Sequence, residues 1–174
     1  MKILLTIILF SILLIAFPLN VNAAEVQKTN YDLPYPGILP DSPFYILKML
    51  RDNIQGFFIS GMLKKAVFDL NCADARVSSA NSMIEKKKSI DLAESTFSKA
   101  ENYFDDAINK TQEAKSQGMD TREIGQRLIL ANNKYREVIA DIDKGLSNKD
   151  RKKFETVKKR AEQDASAVEK LGKE

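Results

Sequence analysis

Paired carboxylates are the first residues in this chain whose type and spacing could do chemistry. Asp105-Asp106 and Asp141-x-Asp143 offer the hard oxygen ligands that calcium takes. Neither pair lies in a tight Gly-containing loop where several oxygens converge, and adjacent acids on a helix point to different faces. Other chemistries are excluded by composition. The 174 residues contain no histidine, which removes the usual general base, the usual zinc or copper ligand and the Glu-x-x-His pair of di-iron bundles. A Gly-rich phosphate loop, a Gly-x-Ser-x-Gly elbow and a Cys–His dyad are also missing. The reading is a non-enzyme without cofactor or metal.

Binding has better candidates. Phe57-Phe58-Ile59, bracketed by Gly56 and Gly61, puts three large apolar residues at a helix break. They either contact a partner or the membrane interface, or plug the open end of a bundle, and the plug is favoured about two to one. Lys149, Arg151, Lys152, Lys153, Lys158, Lys159 and Arg160 form a basic stretch. It suits an anionic surface, or it complements Glu101, Asp105 and Asp106 on another helix; a solvated face is the leading reading. With 27 basic against 24 acidic residues, nothing calls for nucleic acid. The single cysteine, Cys72, makes no internal disulfide framework. A monomer is expected, with a Cys72-bridged dimer as the alternative.

Stepping along the chain, Met1-Lys2, the apolar run Ile3–Phe17 and Val21-Asn22-Ala23 read as a secretory signal cleaved between Ala23 and Ala24. Fifteen apolar residues reach about 22 Å as a helix, short of a ~30 Å hydrocarbon core. An uncleaved anchor is the alternative, and only then is a membrane involved through the leader. The expected location is periplasmic or extracellular. Residues 24–33 read as a flexible lead-in, and 34–174 as one helical domain.

Four prolines crowd into Pro34–Pro43. Each holds its own φ near −65° and extends the residue before it, and Tyr35-Pro36-Gly37 reads as a turn. Ser42 then stands as an N-cap with Pro43 at the first helical position. Phe44, Leu47, Leu50 and Ile54 follow at helical spacing, so residues 34–55 are a proline-rich lead and a short amphipathic helix. Leu39, Phe44 and Tyr45 are expected to pack against the bundle.

Beyond residue 62 the pattern turns regular. Leu63, Leu70, Val77 and Ile84 recur every seven residues, with Ala66, Ala73 and Ala80 between them. After Lys86-Lys87-Lys88, Ile90, Phe97, Phe104 and Thr111 alternate with Ala93, Ala100, Ala107 and Ala114. This is a heptad with alanine at d, which lets two antiparallel helices approach closely. Gly118 reads as a C-cap, and Asp120 with Glu123 as a capping box. Two more stripes follow, Ile124–Ile142 and Phe154–Leu171. The fold class is all-α: an elongated up-and-down bundle of about four long helices. A dimeric extended coiled coil is the rival.

The run Pro36-Gly37-Ile38-Leu39-Pro40-Asp41-Ser42-Pro43-Phe44-Tyr45-Ile46-Leu47-Lys48 resembles the opening motif of an uncharacterised family of exported or membrane-anchored prokaryotic helical domains. The likeness is specific over residues 36–48, loose to about 115 and compositional beyond. Ser60-Gly61-Met62 stands where similar sequences carry an Asp-Pro helix start. The resemblance implies an exported helical fold and gives the motif residues Pro36, Gly37, Leu39, Pro40, Asp41, Ser42, Pro43, Tyr45, Leu47 and Lys48 a structural role. It implies no activity. The expected function is an interaction or structural module of the cell envelope, recognising an envelope protein or an anionic surface. A membrane-tethered sensor is the alternative.

Overall fold

A computed structural model describes residues 28–172; the leader and the Ala23–Ala24 cleavage point lie outside the described residues. Five helices follow one another: α1 Tyr45–Phe58, α2 Met62–Glu85, α3 Ile90–Ser116, α4 Arg122–Gly145 and α5 Asn148–Gly172. Among the described residues every regular element is helical, as the sequence leads one to expect.

The alanine positions explain the tightest contact. Ala66, Ala73 and Ala80 of α2 and Ala93, Ala100, Ala107 and Ala114 of α3 are all fully buried, and α2 with α3 is the most extensively packed pair. Asp69 of α2 meets Lys110, and Arg76 meets Tyr103, so the two helices run antiparallel. α4 and α5 form the second pair; α5 lies along α3 and α4 along α2. The α3–α5 ion pairs Asp91–Lys153 and Asp105–Arg160 advance along both helices together, so these neighbours are parallel. Consecutive helices α3 and α4 barely touch. The short connection between them therefore carries the chain across the end of the bundle.

The helix ends follow local rules, with corrections of a residue or two. The backbone N–H groups of Gly118 and Met119 donate to Lys115 and Ala114, closing α3 in a Schellman motif with Gly118 at φ +79°. α2 closes the same way, but Lys87 holds the left-handed position at φ 51°. Ser89 caps α3 by accepting from Leu92 N–H. Asp120 does not cap α4; that helix begins after Thr121, and Asp120 instead accepts from the Arg122 backbone and guanidinium. α1 begins two residues later than the Ser42 cap implies, because Leu39–Ser42 and Ser42–Tyr45 close as turns first.

The core is continuous across all four long helices and includes Leu39 from the proline segment. At its centre Tyr135 packs edge-on to Phe104 and Phe97, with ring centroids 5.1 and 6.4 Å away. This geometry favours the electropositive ring edge over the negative face.

Candidate functional site

α1 is an amphipathic helix mounted the wrong way round. Its 14 residues turn through 100° each, which places Tyr45, Met49, Asp52 and Gly56 on one side. Ile46, Leu47, Leu50, Ile54, Phe57 and Phe58 occupy an arc of about 120° on the other. The first side faces the bundle. Asp52 is the residue of α1 that is buried, while all six apolar residues opposite are exposed, Phe57 at 84% and Phe58 at 77%. The periodicity is as read from the sequence, yet the stripe of Leu47, Leu50 and Ile54 points to solvent.

The reason lies in what α2 and α3 offer beneath. α1 runs antiparallel to α2, over Cys72, Arg76, Asp69 and Tyr103. Arg76 is buried, with its guanidinium 4.2 Å from the Tyr103 ring centroid. A polar cleft of about 260 Å³ between Asp52, Asn53, Lys65, Asp69 and Lys110 separates the two layers. An apolar face would leave those charges unsolvated, so the polar side turns in. Gly56 permits the approach: a Cβ there would stand 3.0 Å from Phe68 Cε1.

The proline segment ties α1 down by backbone carbonyls. Ser78 Oγ donates to the Pro34 carbonyl at 2.6 Å, and Lys48 Nζ donates to that of Pro36 at 3.2 Å. Lys88 pairs with Asp41. Leu39 is buried and Tyr45 half-buried, as expected for a packing motif, but Phe44 is exposed. Phe57 and Phe58 close the last turn of α1 rather than plugging the bundle; Ile59 is the half-buried C-cap. Gly61, at φ +94°, then starts α2, a conformation that the Asp-Pro alternative cannot adopt.

Residues 37–174 match the family described as Domain of unknown function (DUF5667). The chain belongs to this family. The match begins inside the Pro36–Lys48 motif and continues to the last residue, well beyond the portion where the sequence alone shows a specific likeness. No curated protein and no solved structure matches the chain.

Elsewhere in this DUF5667 domain the expected candidates are absorbed by structure. Part of the basic stretch on α5 is spent inside the molecule, while Lys149, Lys152 and Lys159 are exposed. Arg160 pairs with Asp105 at 2.5 Å and donates to Asn102, Lys153 pairs with Asp91, and Arg151 donates to the Asp143 carbonyl. Asp105 and Asp106 do not converge, and among the described residues no group of three His, Cys, Asp or Glu is placed to hold a metal. Burial pushes the Cys72 thiol up to about 11.

Two polar clusters escaped the sequence reading. Buried Asp74 accepts from Tyr31 at 2.6 Å and from Tyr135 at 2.7 Å, joining the lead-in, α2 and α4. Thr29 N–H donates to Glu137, so residues 29–31 are tied down where a flexible lead-in was expected. In the second cluster, Glu101 is fully buried between α3 and α5 with no donor to either oxygen, beside Asp164. Burial first, and then the charge of Asp164, raises Glu101 far above the usual carboxylate range. It keeps its proton at neutral pH, which relieves the clash. No spacing signal marks either cluster, because each is assembled from residues more than 40 positions apart. A second concavity, a groove of about 610 Å³, lies beside Lys28, Leu130, Arg136 and Lys158.

Proposed function

We propose that this DUF5667 protein is an exported, non-enzymatic helical-bundle module of the cell envelope that works by surface recognition through α1. One observation carries the reading. Of the eleven large hydrophobic residues exposed among the described residues, nine lie between Tyr35 and Phe58; the other two are Met119, in the α3–α4 connection, and Leu130 on α4. A bundle able to bury nearly all its apolar side chains leaves this one segment uncovered, which is the mark of an interaction surface. Export rests on the Met1–Ala23 leader. Among the described residues no helix is long and apolar enough to cross a membrane.

The test is photo-cross-linking of the native protein in intact cell envelopes, with the reactive residue at Phe57. Reproducible adducts that disappear with Leu50→Ser/Ile54→Ser, while the melting temperature holds, are expected. Adducts that persist unchanged in that variant sink the reading. The mass of the mature N-terminus reports cleavage after Ala23 against an uncleaved anchor.

A further inference from the structure

We propose that the outward face of α1 is a lipid-surface docking site, seated at the headgroup boundary of an anionic bilayer. The inference rests on the reading of α1 as the recognition face and names what covers it.

Shape is the first argument. The exposed arc runs about 120° from Ile46 to Phe58, wider than the narrow a/d seam that one partner helix occupies. A second helix laid along Leu50 and Ile54 leaves the arc's edges wet. The boundary of a bilayer takes the whole arc at once, as it does for helices that lie in the interface plane. Phe44, Ile38 and Tyr35 extend the same apolar run upstream in the chain, at 64%, 42% and 85% exposure.

Charge is the second. Between Phe44 and Lys65 the chain carries Lys48, Arg51, Lys64 and Lys65 against the single acid Asp52. Asp52 is buried and accepts from Arg51 at 2.7 Å, so no bare carboxylate flanks the apolar arc. Arg51 borders the arc on α1, and Lys64 is exposed in the first turn of α2, just past Phe58 in the chain; Lys65 lines the cleft on the bundle side and Lys48 donates to the Pro36 carbonyl. Cations beside an apolar helix face match anionic headgroups.

The docking of α1 is the third. Its bundle-facing side sets Asp52 over the 260 Å³ cleft beside Lys65, Asp69 and Lys110, and its helix packing is confined to α2. Turning α1 over to bury the stripe would place Leu50 and Ile54 on Arg76 and Asp69, so the bundle itself cannot cover the face.

The chain contains no tryptophan, so Phe57→Trp in the full chain gives one reporter on this face. The protein is titrated with vesicles of phosphatidylglycerol and phosphatidylcholine, and with pure phosphatidylcholine. The expected result is a blue shift of emission on anionic vesicles, at least tenfold weaker affinity on pure phosphatidylcholine, and loss of the shift in Leu50→Ser/Ile54→Ser. The leader is the same in every variant, so its own insertion does not produce the difference. An unshifted Trp on both vesicles overturns the proposal. So does a Trp already blue-shifted without lipid: independent of concentration, the leader's apolar run covers the face; rising with concentration, a second copy does. A protein adduct from Phe57 in the envelope experiment, with no vesicle response, overturns lipid docking alone and leaves the recognition reading standing.

Discussion

The Tyr135 hydroxyl donates to Asp74 Oδ1 at 2.7 Å inside the core, while Tyr31 donates to the other oxygen at 2.6 Å. Asp74 is 4% exposed and its carboxyl is raised, chiefly by burial, with the two tyrosines opposing the shift. Tyr135→Phe removes one donor and strands a buried acceptor. The expected loss is about 1–3 kcal/mol, read from urea denaturation. An unchanged midpoint would mean that water replaces the hydroxyl.

Glu101 makes stability depend on pH in an uncommon direction. Its folded value is raised from 4.5, by burial and then by Asp164. Such a group stabilises the native state fully below 4.5, and this contribution is lost as pH rises through the raised folded value. Asp69, Asp74 and Asp164, raised above 3.8 chiefly by burial, act in the same sense. Arg160 opposes the shifts of Glu101 and Asp164. The melting temperature should be higher at pH 5.5 than at pH 8.5, and Glu101→Gln should narrow the gap. Equal slopes for the two proteins would remove Glu101 as the cause.

Ala100 is fully buried in the α2–α3 contact. Leucine there adds three carbons to a seam without room, at a cost of about 1–3 kcal/mol or more. Thermal melts of Ala100→Leu followed by circular dichroism measure it. Retained stability would show that the helices can move apart freely.

Lys87 occupies the left-handed position that closes α2, at φ 51°. That conformation costs a side-chain-bearing residue about 1–2 kcal/mol, and glycine returns about 0.5–1 kcal/mol of it as unfolded-state entropy. Lys87→Gly should therefore stabilise by up to about 1 kcal/mol, and a destabilised variant would point to a contact made by the Lys87 side chain.

Cys72 is 8% exposed beneath α1, with its thiol pushed up by burial. Native protein should react with a maleimide at least tenfold more slowly than urea-unfolded protein. A disulfide dimer on non-reducing gels, abolished by Cys72→Ser, would contradict this placement.

The sequence by itself determined that the chain is helical, where its long helices lie and which residues share each face. The seam alanines Ala66, Ala73, Ala80, Ala93, Ala100, Ala107 and Ala114 all fall in the core at 0% exposure, because a small residue at every second contact of a seven-residue repeat lets neighbouring helices close on it. Gly118 and the prolines before α1 were legible for local reasons: glycine admits the positive φ that closes α3, and each proline fixes its own φ. The tertiary structure alone decided which way α1 faces. Periodicity says that Leu47, Leu50 and Ile54 lie together, not whether they lie inward. That depended on Arg76, Asp69 and Tyr103 waiting beneath, residues supplied by other helices. Asp74 with Tyr135, 61 positions apart, and Glu101 with Asp164 are settled the same way, since burial and partnering arise only when distant helices meet.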